Sequence, residues 1–124
     1  MELSIKQINE LITGIILSAE ISSSSPKYRH FVSVGGYIEV GRGKKPLDRF
    51  INDEKIRTTF FWIRDYEVSK IYIENDLEIP DDQIINHIYT ESIIGINSLQ
   101  EDLKKHISDF SLLVPHWETD APIG

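Results

Sequence analysis

The sequence predicts an α+β domain in which an antiparallel β-sheet of about four to five strands packs against N-terminal and C-terminal helices. Three observations support this prediction. Apolar residues near the N-terminus recur at the three- and four-residue spacing of a helix, the middle of the chain contains short runs rich in β-branched and aromatic residues, and helical spacing returns after Pro80. Since 124 residues is the size of one domain, we expect residues 1–124 to form a single unit with a polar C-terminal tail from about residue 116.

The N-terminal segment is predicted to form one helix from Ser4 to about Ile21. Its apolar residues define one face, and Ser4 with Gln7 three positions later fits a capping box. The serine run that follows is closed by Pro26, which is typical of a loop and should end the helix.

A glycine-rich stretch, FVSVGGYIEVGRGKK (Phe31–Lys45), raises the question of a phosphate-binding loop. The P-loop motif places Lys and then Ser or Thr after its last glycine, whereas Gly41 is followed by Arg42 and another glycine. The dinucleotide-binding pattern also fails, because its third glycine would fall on Pro46. We therefore expect Gly35–Gly36 to form a type I′ turn between two strands, and GRGKKP to be an exposed basic loop.

Two further strands are predicted in the middle of the chain. Ile56–Arg64 is the richest in β-branched and aromatic residues, and Tyr66–Glu74 follows it closely, so a turn at Arg64–Asp65 would join them as a hairpin. The segment before them, Pro46–Asp53, is interpreted as one or two helical turns.

The last third of the chain is predicted to be helical. Pro80 suits the first position of a helix, and the acids after it suit the positive end of the helix dipole, so one helix should run from Pro80 to about Ser92. A second helix should begin at a capping box formed by Ser98 and Glu101 and should be followed by a short strand, SLLVP. The residues expected to face inward are Ile84, Ile85 and Ile88 in the first helix and Leu99, Leu103, Ile107 and Phe110 in the second.

Charge is distributed unevenly along the chain. The formal net charge is −7; residues 27–70 carry ten Lys or Arg against six Asp or Glu, whereas residues 71–124 carry two against eleven. Net acidity argues against nonspecific nucleic-acid binding, which needs positive charge to displace counterions, and it suits a basic partner. The chain has no cysteine, no secretory signal pattern and no apolar run approaching the ~20 residues of a membrane span. We therefore expect a soluble, cytoplasmic protein without a nucleic-acid or membrane partner.

The sequence contains no catalytic motif of high specificity. The four histidines do not match a metal-binding pattern such as H-E-x-x-H, and no G-x-S-x-G elbow is present. Two pairs have helical spacing, His87 with Glu91 and His106 with Asp109, and we interpret both as surface pairs. We therefore predict no catalytic residue, no metal site and no cofactor, and we do not expect a small-molecule ligand.

The residues that best fit a protein-binding surface are a cluster of acids and a set of aromatics. Five acids lie within nine residues at one connection and should create a local negative potential that attracts Lys and Arg groups. Tyr and Trp side chains beside charges are typical of binding hot spots. The predicted partner-binding residues are Glu74, Asp76, Glu78, Asp81 and Asp82, together with Trp62, Tyr66, Tyr72 and Trp117.

Two stretches of the sequence, YIENDLEIPDDQIINHI and VSVGGYIEV, resemble segments of bacterial immunity proteins. These proteins neutralise the toxins of contact-dependent growth inhibition and related polymorphic toxin systems. The resemblance implies tight one-to-one binding to a cognate toxin, often a basic nuclease or deaminase, rather than an enzymatic activity. It also implies that the five acids would serve as anchors for Lys and Arg groups of the toxin.

Two other classes of function remain open from the sequence. One is a different acidic binding module, such as a secretion chaperone or a nucleic-acid mimic, although the basic middle of the chain opposes the mimic. The other is a small enzyme that uses a carboxylate or histidine site. A deep pocket holding His87 and Glu91 would favour the enzyme, whereas a flat acidic surface rimmed by Tyr and Trp would favour an inhibitor.

Overall fold

The computed structural model describes residues 2–40, 43–45 and 59–122, and it confirms the α+β class. An N-terminal helix and two short helices pack alongside an antiparallel sheet. The helices are α1 (Ile5–Ile12), α2 (Lys70–Glu74) and α3 (Ile96–Leu103), and the strands are β1 (Leu17–Ile21), β2 (Tyr28–Val40), β3 (Gly43–Lys45), β4 (Phe60–Ser69), β5 (Ile84–Ile94) and β6 (Val114–Pro115).

Five strands form the sheet in the order β5-β4-β2-β1-β6, and every neighbouring pair is antiparallel. The short strand β3 pairs with the far end of β2. The described part of the chain contains no helix long and apolar enough to cross a bilayer.

Both faces of the sheet bury side chains, because successive residues of a strand point to opposite sides. One face is covered by α1 and α3, and we call it the helix face. Its core includes Leu11, Leu17, Val32, Val34, Ile63, Leu99 and Leu103. On the opposite face, Phe31, Tyr66 and Val68 pack with Ala121 and with the half-buried Ile73 and Ile79.

A buried glutamine fixes α1 to the C-terminal segment. The capping box predicted for Ser4 and Gln7 is present. The Gln7 side-chain Nε2 also donates to the carbonyl oxygens of Phe110 and Leu113, at 2.7 and 3.0 Å. The same side chain therefore completes the helix cap and satisfies two backbone acceptors 103 and 106 residues away.

The predicted N-terminal helix, from Ser4 to about Ile21, is about twice as long as the observed helix α1. Helix α1 ends at Ile12, Gly14 adopts a φ of 91°, and Leu17–Ile21 is strand β1. Leu17 and Ala19 alternate toward the core, so the apolar residues of this stretch satisfy a strand as well as a helix. The prediction was wrong because the apolar spacing fits both a helix and a strand, and pairing with β2 makes this segment a strand.

The predicted turn at Gly35–Gly36 is also wrong, because both glycines lie inside β2 and pair with Trp62 and Phe61 of β4. Gly35 leaves room for the Trp62 ring: a Cβ atom there would lie 2.6 Å from ring carbons. Part of the expected basic loop, Gly43–Lys45, is strand β3, and the rest of that loop lies outside the described residues.

The predicted hairpin at Arg64–Asp65 does not exist. Strand β4 runs through this position, and Lys70–Glu74, expected to be strand, is helix α2. Arg64 and Asp65 pair with consecutive residues of β2, so the strand continues across them without a turn. The expected turns of helix at Pro46–Asp53 and the first residues of the expected strand from Ile56 lie outside the described residues.

The predicted helix from Pro80 to Ser92 is wrong as well. Asp81–Gln83 forms one 3₁₀ turn, and Ile84–Ile94 is strand β5. The pairing of β5 with β4 is interrupted by two irregularities, where Asn86 and Ser92 adopt φ values of 51° and 63°. These bulges shift the side-chain alternation of β5, which hides the period of two that identifies a strand.

In the C-terminal region, the residues predicted to be buried are buried, but the helix begins at a different residue from the one predicted. Helix α3 begins after Gly95 without a side-chain cap, so the capping box of Ser98 and Glu101 is not formed. The four predicted inward residues, Leu99, Leu103, Ile107 and Phe110, are buried. The predicted final strand, SLLVP, is confirmed only at its last two residues, which form β6, because its first two residues lie in a 3₁₀ turn.

The segment after residue 116 packs on the sheet. Ala121 is buried against Phe31, and Asp120 accepts a hydrogen bond from Arg29, whose guanidinium also binds Glu20 at 2.6 Å. Hydrogen bonds with Glu20, together with the nearby Asp120 carboxylate, raise the pKa of Arg29 despite partial burial.

Candidate functional site

The five predicted acids lie on one connection between α2 and β5. All are exposed, from Glu74 at the end of α2 to Asp82 in the 3₁₀ turn. Asp76 adopts a φ of 51°, a conformation that Asp and Asn tolerate better than most residues. The connection therefore presents carboxylates to solvent.

The predicted aromatics do not form one patch. Trp117 is 70% exposed in the 3₁₀ turn after β6, and Tyr72 is half-buried on α2. Tyr66 is fully buried, with its ring 5.8 Å from that of Phe31, so it lies beneath the surface that a partner could touch. Tyr66 is on the same face of β4 as Trp62, but it is buried in the cluster that contains Phe31, Val68 and Ala121.

The structure instead places Trp62 beside Tyr89 of β5, which the sequence analysis did not single out. Their ring centroids are 6.3 Å apart, and the Arg64 guanidinium lies 5.7 Å from the Trp62 ring and 5.1 Å from the Tyr89 ring. Cation–π contacts of this kind hold the two rings and the guanidinium together.

Acidic residues are concentrated in one continuous segment of the chain that includes β5. Residues 71–103 contain eight Asp or Glu and no Lys or Arg. This segment forms most of α2, the acidic connection, β5 and α3, and β5 is the terminal strand of the sheet order. We call residues 71–103 the acidic rim; within it, α2 packs on one face of the sheet and α3 on the other. Its exposed apolar side chains are Ile71, Leu77, Ile88, Tyr89 and Ile94.

A buried cluster of titratable groups lies on the helix face. The carboxylate of Asp65, which is 8% exposed, contacts His30 Nε2 through one oxygen and His106 Nδ1 through the other, the latter at 2.6 Å. Strand pairing supplies part of this geometry, because β2 and β4 carry His30 and Asp65. His106 arrives from the turn that follows α3.

His30 also contacts the loop after β1. Its second ring nitrogen, Nδ1, lies 3.2 Å from the carbonyl oxygen of Ser22. The His30 ring therefore connects the Asp65 carboxylate with this loop.

Glu67 extends the cluster toward the edge of the sheet. Its carboxylate accepts hydrogen bonds from Ser24 N at 2.6 Å, Ser24 Oγ at 3.0 Å and Asn86 Nδ2 at 2.5 Å. Burial favours a higher pKa for Glu67, but these hydrogen bonds and nearby His30 outweigh it and hold the pKa below its usual range. The carboxylate thus fastens the loop after β1 to the first bulge of β5.

We expect Glu67→Gln to lower the free energy of unfolding by about 2 kcal/mol at neutral pH, because the amide would turn a donor toward existing donors. A carboxylate with a lowered folded-state pKa contributes stability above its unfolded value of about 4.3, and that contribution is lost as pH falls through the folded value. Urea unfolding at about pH 7 and in steps below about pH 4.3 should therefore show weaker acid destabilisation in the variant than in the wild type.

The matched control is Glu74→Gln, since Glu74 is exposed at the end of α2. It should leave both the stability and its pH dependence nearly unchanged. Equal acid profiles for Glu67→Gln and the wild type would contradict the role assigned to the Glu67 carboxylate.

Cavities lie on both sides of His106. One, of about 600 Å³, is lined by Ser22, Ser108 and Leu112 together with Glu20, Ile21 and Ile107. The other, of about 390 Å³, lies between β5 and the end of α3 and is lined by Asp65, Ile88, Thr90, Asp102 and Lys105. A carboxylate that orients an imidazole beside a cavity can support proton transfer.

The other predicted histidine pairs are corrected by the structure. His106 pairs with Asp65, while Asp109 caps a 3₁₀ turn by accepting from Ser111. His87 and Glu91 do not share a helical face, because β5 is a strand. In the described part of the chain, no group of three or more His, Asp or Glu side chains is placed to hold a metal ion.

His116 takes part in a separate polar chain. Its Nδ1 lies 3.0 Å from Ser18 Oγ, which lies 2.7 Å from Ser33 Oγ. Both serines are fully buried, so neither hydroxyl is accessible to a substrate. These contacts connect the turn after β6 with β1 and β2, and their role is structural.

Comparisons with known proteins give no relative from which a function could be transferred. No protein-family model, curated protein or solved structure matches this chain significantly.

Proposed function

We propose that this chain is a cytoplasmic bacterial immunity protein that binds and neutralises a basic toxin domain through the acidic rim. The observation that supports the proposal most directly is the concentration of acids in residues 71–103, where five of the eight lie at the exposed connection, and Glu101 and Asp102 pair with Lys104 and Lys105. The acidic connection leads into β5, the terminal strand of the sheet order. A basic protein surface would meet attractive potential at this end of the sheet, which speeds association and selects the partner by charge.

Exposed apolar side chains within the acidic rim supply binding affinity, which charge alone does not provide. Ile88, Ile94 and Leu77 are 53, 59 and 51% exposed. Affinity in protein interfaces comes mainly from a few desolvated apolar or aromatic anchors, with charges at their periphery. The acidic rim combines both kinds of group, as an inhibitor of a basic protein requires.

Charge reversal at the acidic connection should slow binding. We expect Glu74→Lys/Glu78→Lys to reduce the association rate with the product of the neighbouring gene by about tenfold at low ionic strength, and much less at high salt. Stopped-flow or surface-plasmon measurements at two salt concentrations would show this. Asp76 is left unchanged, because its φ of 51° disfavours a lysine.

The matched control is Glu2→Lys/Glu10→Lys, which changes the net charge equally at a residue before α1 and a residue within it. This control should retain most of the association rate. If both double variants slow association equally, overall charge rather than the acidic rim determines the encounter. A partner of acidic composition would contradict the proposal outright.

The alternative of a small enzyme is favoured by one specific observation, the Asp65–His106 pair between two cavities. In such an enzyme Asp65 would orient the imidazole, and His106 would move a proton. The remaining alternative, an acidic binding module such as a secretion chaperone, would use the acidic rim without neutralising a toxin. Rescue of cell growth by co-expression with the toxin separates the inhibitor from both.

A further inference from the structure

We infer that Leu77 is the apolar anchor of the acidic rim, and that it enters an apolar pocket of the partner bordered by Lys or Arg groups. The inference rests on the proposed function, since it names the side chain that holds the toxin. Leu77 lies in the connection between α2 and β5 and exposes 51% of its surface. A single exposed leucine is common on protein surfaces, but Leu77 also occupies a fixed turn next to a second exposed apolar residue.

Backbone hydrogen bonds at the end of α2 form a Schellman motif. The N–H of Leu77 donates to the carbonyl oxygen of Tyr72 at 2.8 Å. The N–H of Asp76 donates to the carbonyl oxygen of Ile73 at 3.3 Å. Asp76 occupies the left-handed position of the motif, with a φ of 51°. The end of the helix therefore determines where Leu77 lies.

The segment that carries Leu77 is also fixed on both sides of the turn. Ile73 before the turn and Ile79 after it pack against the buried cluster on the face opposite the helix face. At the start of α2, the N–H of Lys70 donates to the carbonyl oxygen of Lys27 at 3.0 Å. An anchor on such a support loses little conformational freedom on binding, so more of its burial appears as affinity.

The turn leaves two apolar side chains in solvent. In a Schellman motif, the residue in the position of Leu77 frequently contacts the residue in the position of Ile71. Ile71 and Leu77 nevertheless expose 55 and 51% of their surfaces. The pair is therefore an apolar surface that a partner can desolvate.

Charge specifies the chemistry of the partner's pocket. Glu74, Asp76 and Glu78 are exposed and lie within three residues of Leu77. Binding hot spots place an apolar anchor at the centre and polar groups around it. A partner that covers Leu77 brings its own surface against these carboxylates, and only positive groups compensate their loss of water. The complementary pocket is therefore apolar inside and basic at its border.

A second copy of this chain fits the anchor poorly. It would bring the same three carboxylates, and a net charge of −7, to the contact. Like charges at close range disfavour that pairing.

The test measures association and dissociation rates with the purified product of the neighbouring gene. Leu77→Ala should speed dissociation at least about tenfold and change the association rate by less than about twofold, because an apolar anchor acts after the encounter that charge controls. Leu77→Met, which nearly conserves volume, should restore most of the affinity. The matched control is Leu112→Ala, which alters a leucine that is 47% exposed near the C-terminus and should change neither rate by more than about twofold.

Two substitutions of Asp76 test the turn, because both remove the same charge. Glycine adopts a φ of 51° freely, whereas alanine is strained there. Asp76→Ala should therefore bind at least about threefold more weakly than Asp76→Gly, since less of the chain holds Leu77 in the binding position. Equal affinities of these two variants would overturn the role of the turn.

The remaining outcomes separate the anchor from the proposed function. Wild-type dissociation of Leu77→Ala, with Glu74→Lys/Glu78→Lys still slow to associate, would overturn the anchor and leave the proposed function standing. Equal acceleration by Leu77→Ala and Leu112→Ala would do the same. Absence of binding by the wild type would overturn both. A homodimer that sedimentation detects and that Leu77→Ala dissociates would assign the anchor to a second copy and overturn the inference.

Discussion

Replacing Asp65 by asparagine should lower the free energy of unfolding by about 3 kcal/mol. The Asp65 carboxylate is almost fully buried and satisfies a ring nitrogen of both His30 and His106. An amide of the same shape offers one acceptor oxygen and turns an NH₂ group toward the second imidazole. A neutral amide also cannot form the charge-assisted hydrogen bonds that the carboxylate forms with the two imidazoles, and such bonds are about twice as strong as neutral ones.

Urea or thermal unfolding of Asp65→Asn measures this effect, and Asp102→Asn is the matched control. Asp102 forms a more exposed ion pair with Lys105 at 3.2 Å, so its loss should cost under about 1 kcal/mol. A variant of Asp65 that unfolds with the wild-type midpoint would contradict the structural role of the cluster. If stability falls while partner binding persists under native conditions, the cluster supports the fold and not the interface.

The Asp65 cluster also shows why this part of the molecule could not be predicted from the sequence. His30 and Asp65 are 35 residues apart, and His106 is a further 41 residues along the chain. Only the register of β2 against β4, together with the path of the chain after α3, brings them together. The spacing of His106 and Asp109 suggested a helical pair instead. Neighbours three or four residues apart on a helix can be recognised in a sequence, whereas partners on different strands cannot.

The acids of the connection were more predictable, because charged groups remain in solvent unless they are paired. A carboxylate is expected to be exposed because it is charged, whereas a tyrosine can be either buried or exposed, so the burial of Tyr66 could not be predicted. Tyr66 lies on the same face of β4 as Trp62, but it packs in a buried cluster with Phe31, Val68 and Ala121 to which Trp62 does not belong. Tertiary contacts therefore decide which aromatic residues can reach a partner.

Strand β5 illustrates the same limit at the level of secondary structure. Ile84, Ile85 and Ile88 have the spacing of a helical face, yet they lie on a bulged strand. Isoleucine is β-branched and favours strands, but the bulges at Asn86 and Ser92 break the alternation that would have revealed one. The α+β class could be predicted because it depends on the presence of both helical and strand patterns in the sequence, and not on where each helix or strand begins and ends.

The glycine pair offers a sharp test of the register between β2 and β4. We expect Gly35→Ala to lower the free energy of unfolding by about 2 kcal/mol, because its Cβ would lie 2.6 Å from Cε2 and Cζ2 of Trp62. The ring cannot move away without cost, since it contacts Arg64 and Tyr89. Denaturant unfolding of the purified variant measures the loss.

A double-mutant cycle with Trp62→Ala separates this clash from a general cost of changing a glycine. Once the ring is removed, Gly35→Ala should become neutral or stabilising by up to about 1 kcal/mol, because alanine reduces the freedom of the unfolded chain and fits a strand better than glycine. The sign of the substitution should therefore reverse between the two backgrounds. The turn predicted from the sequence requires positive φ at both glycines, so under that arrangement alanine would destabilise equally with or without Trp62. Reversal thus supports the continuous strand, and equal destabilisation supports the turn.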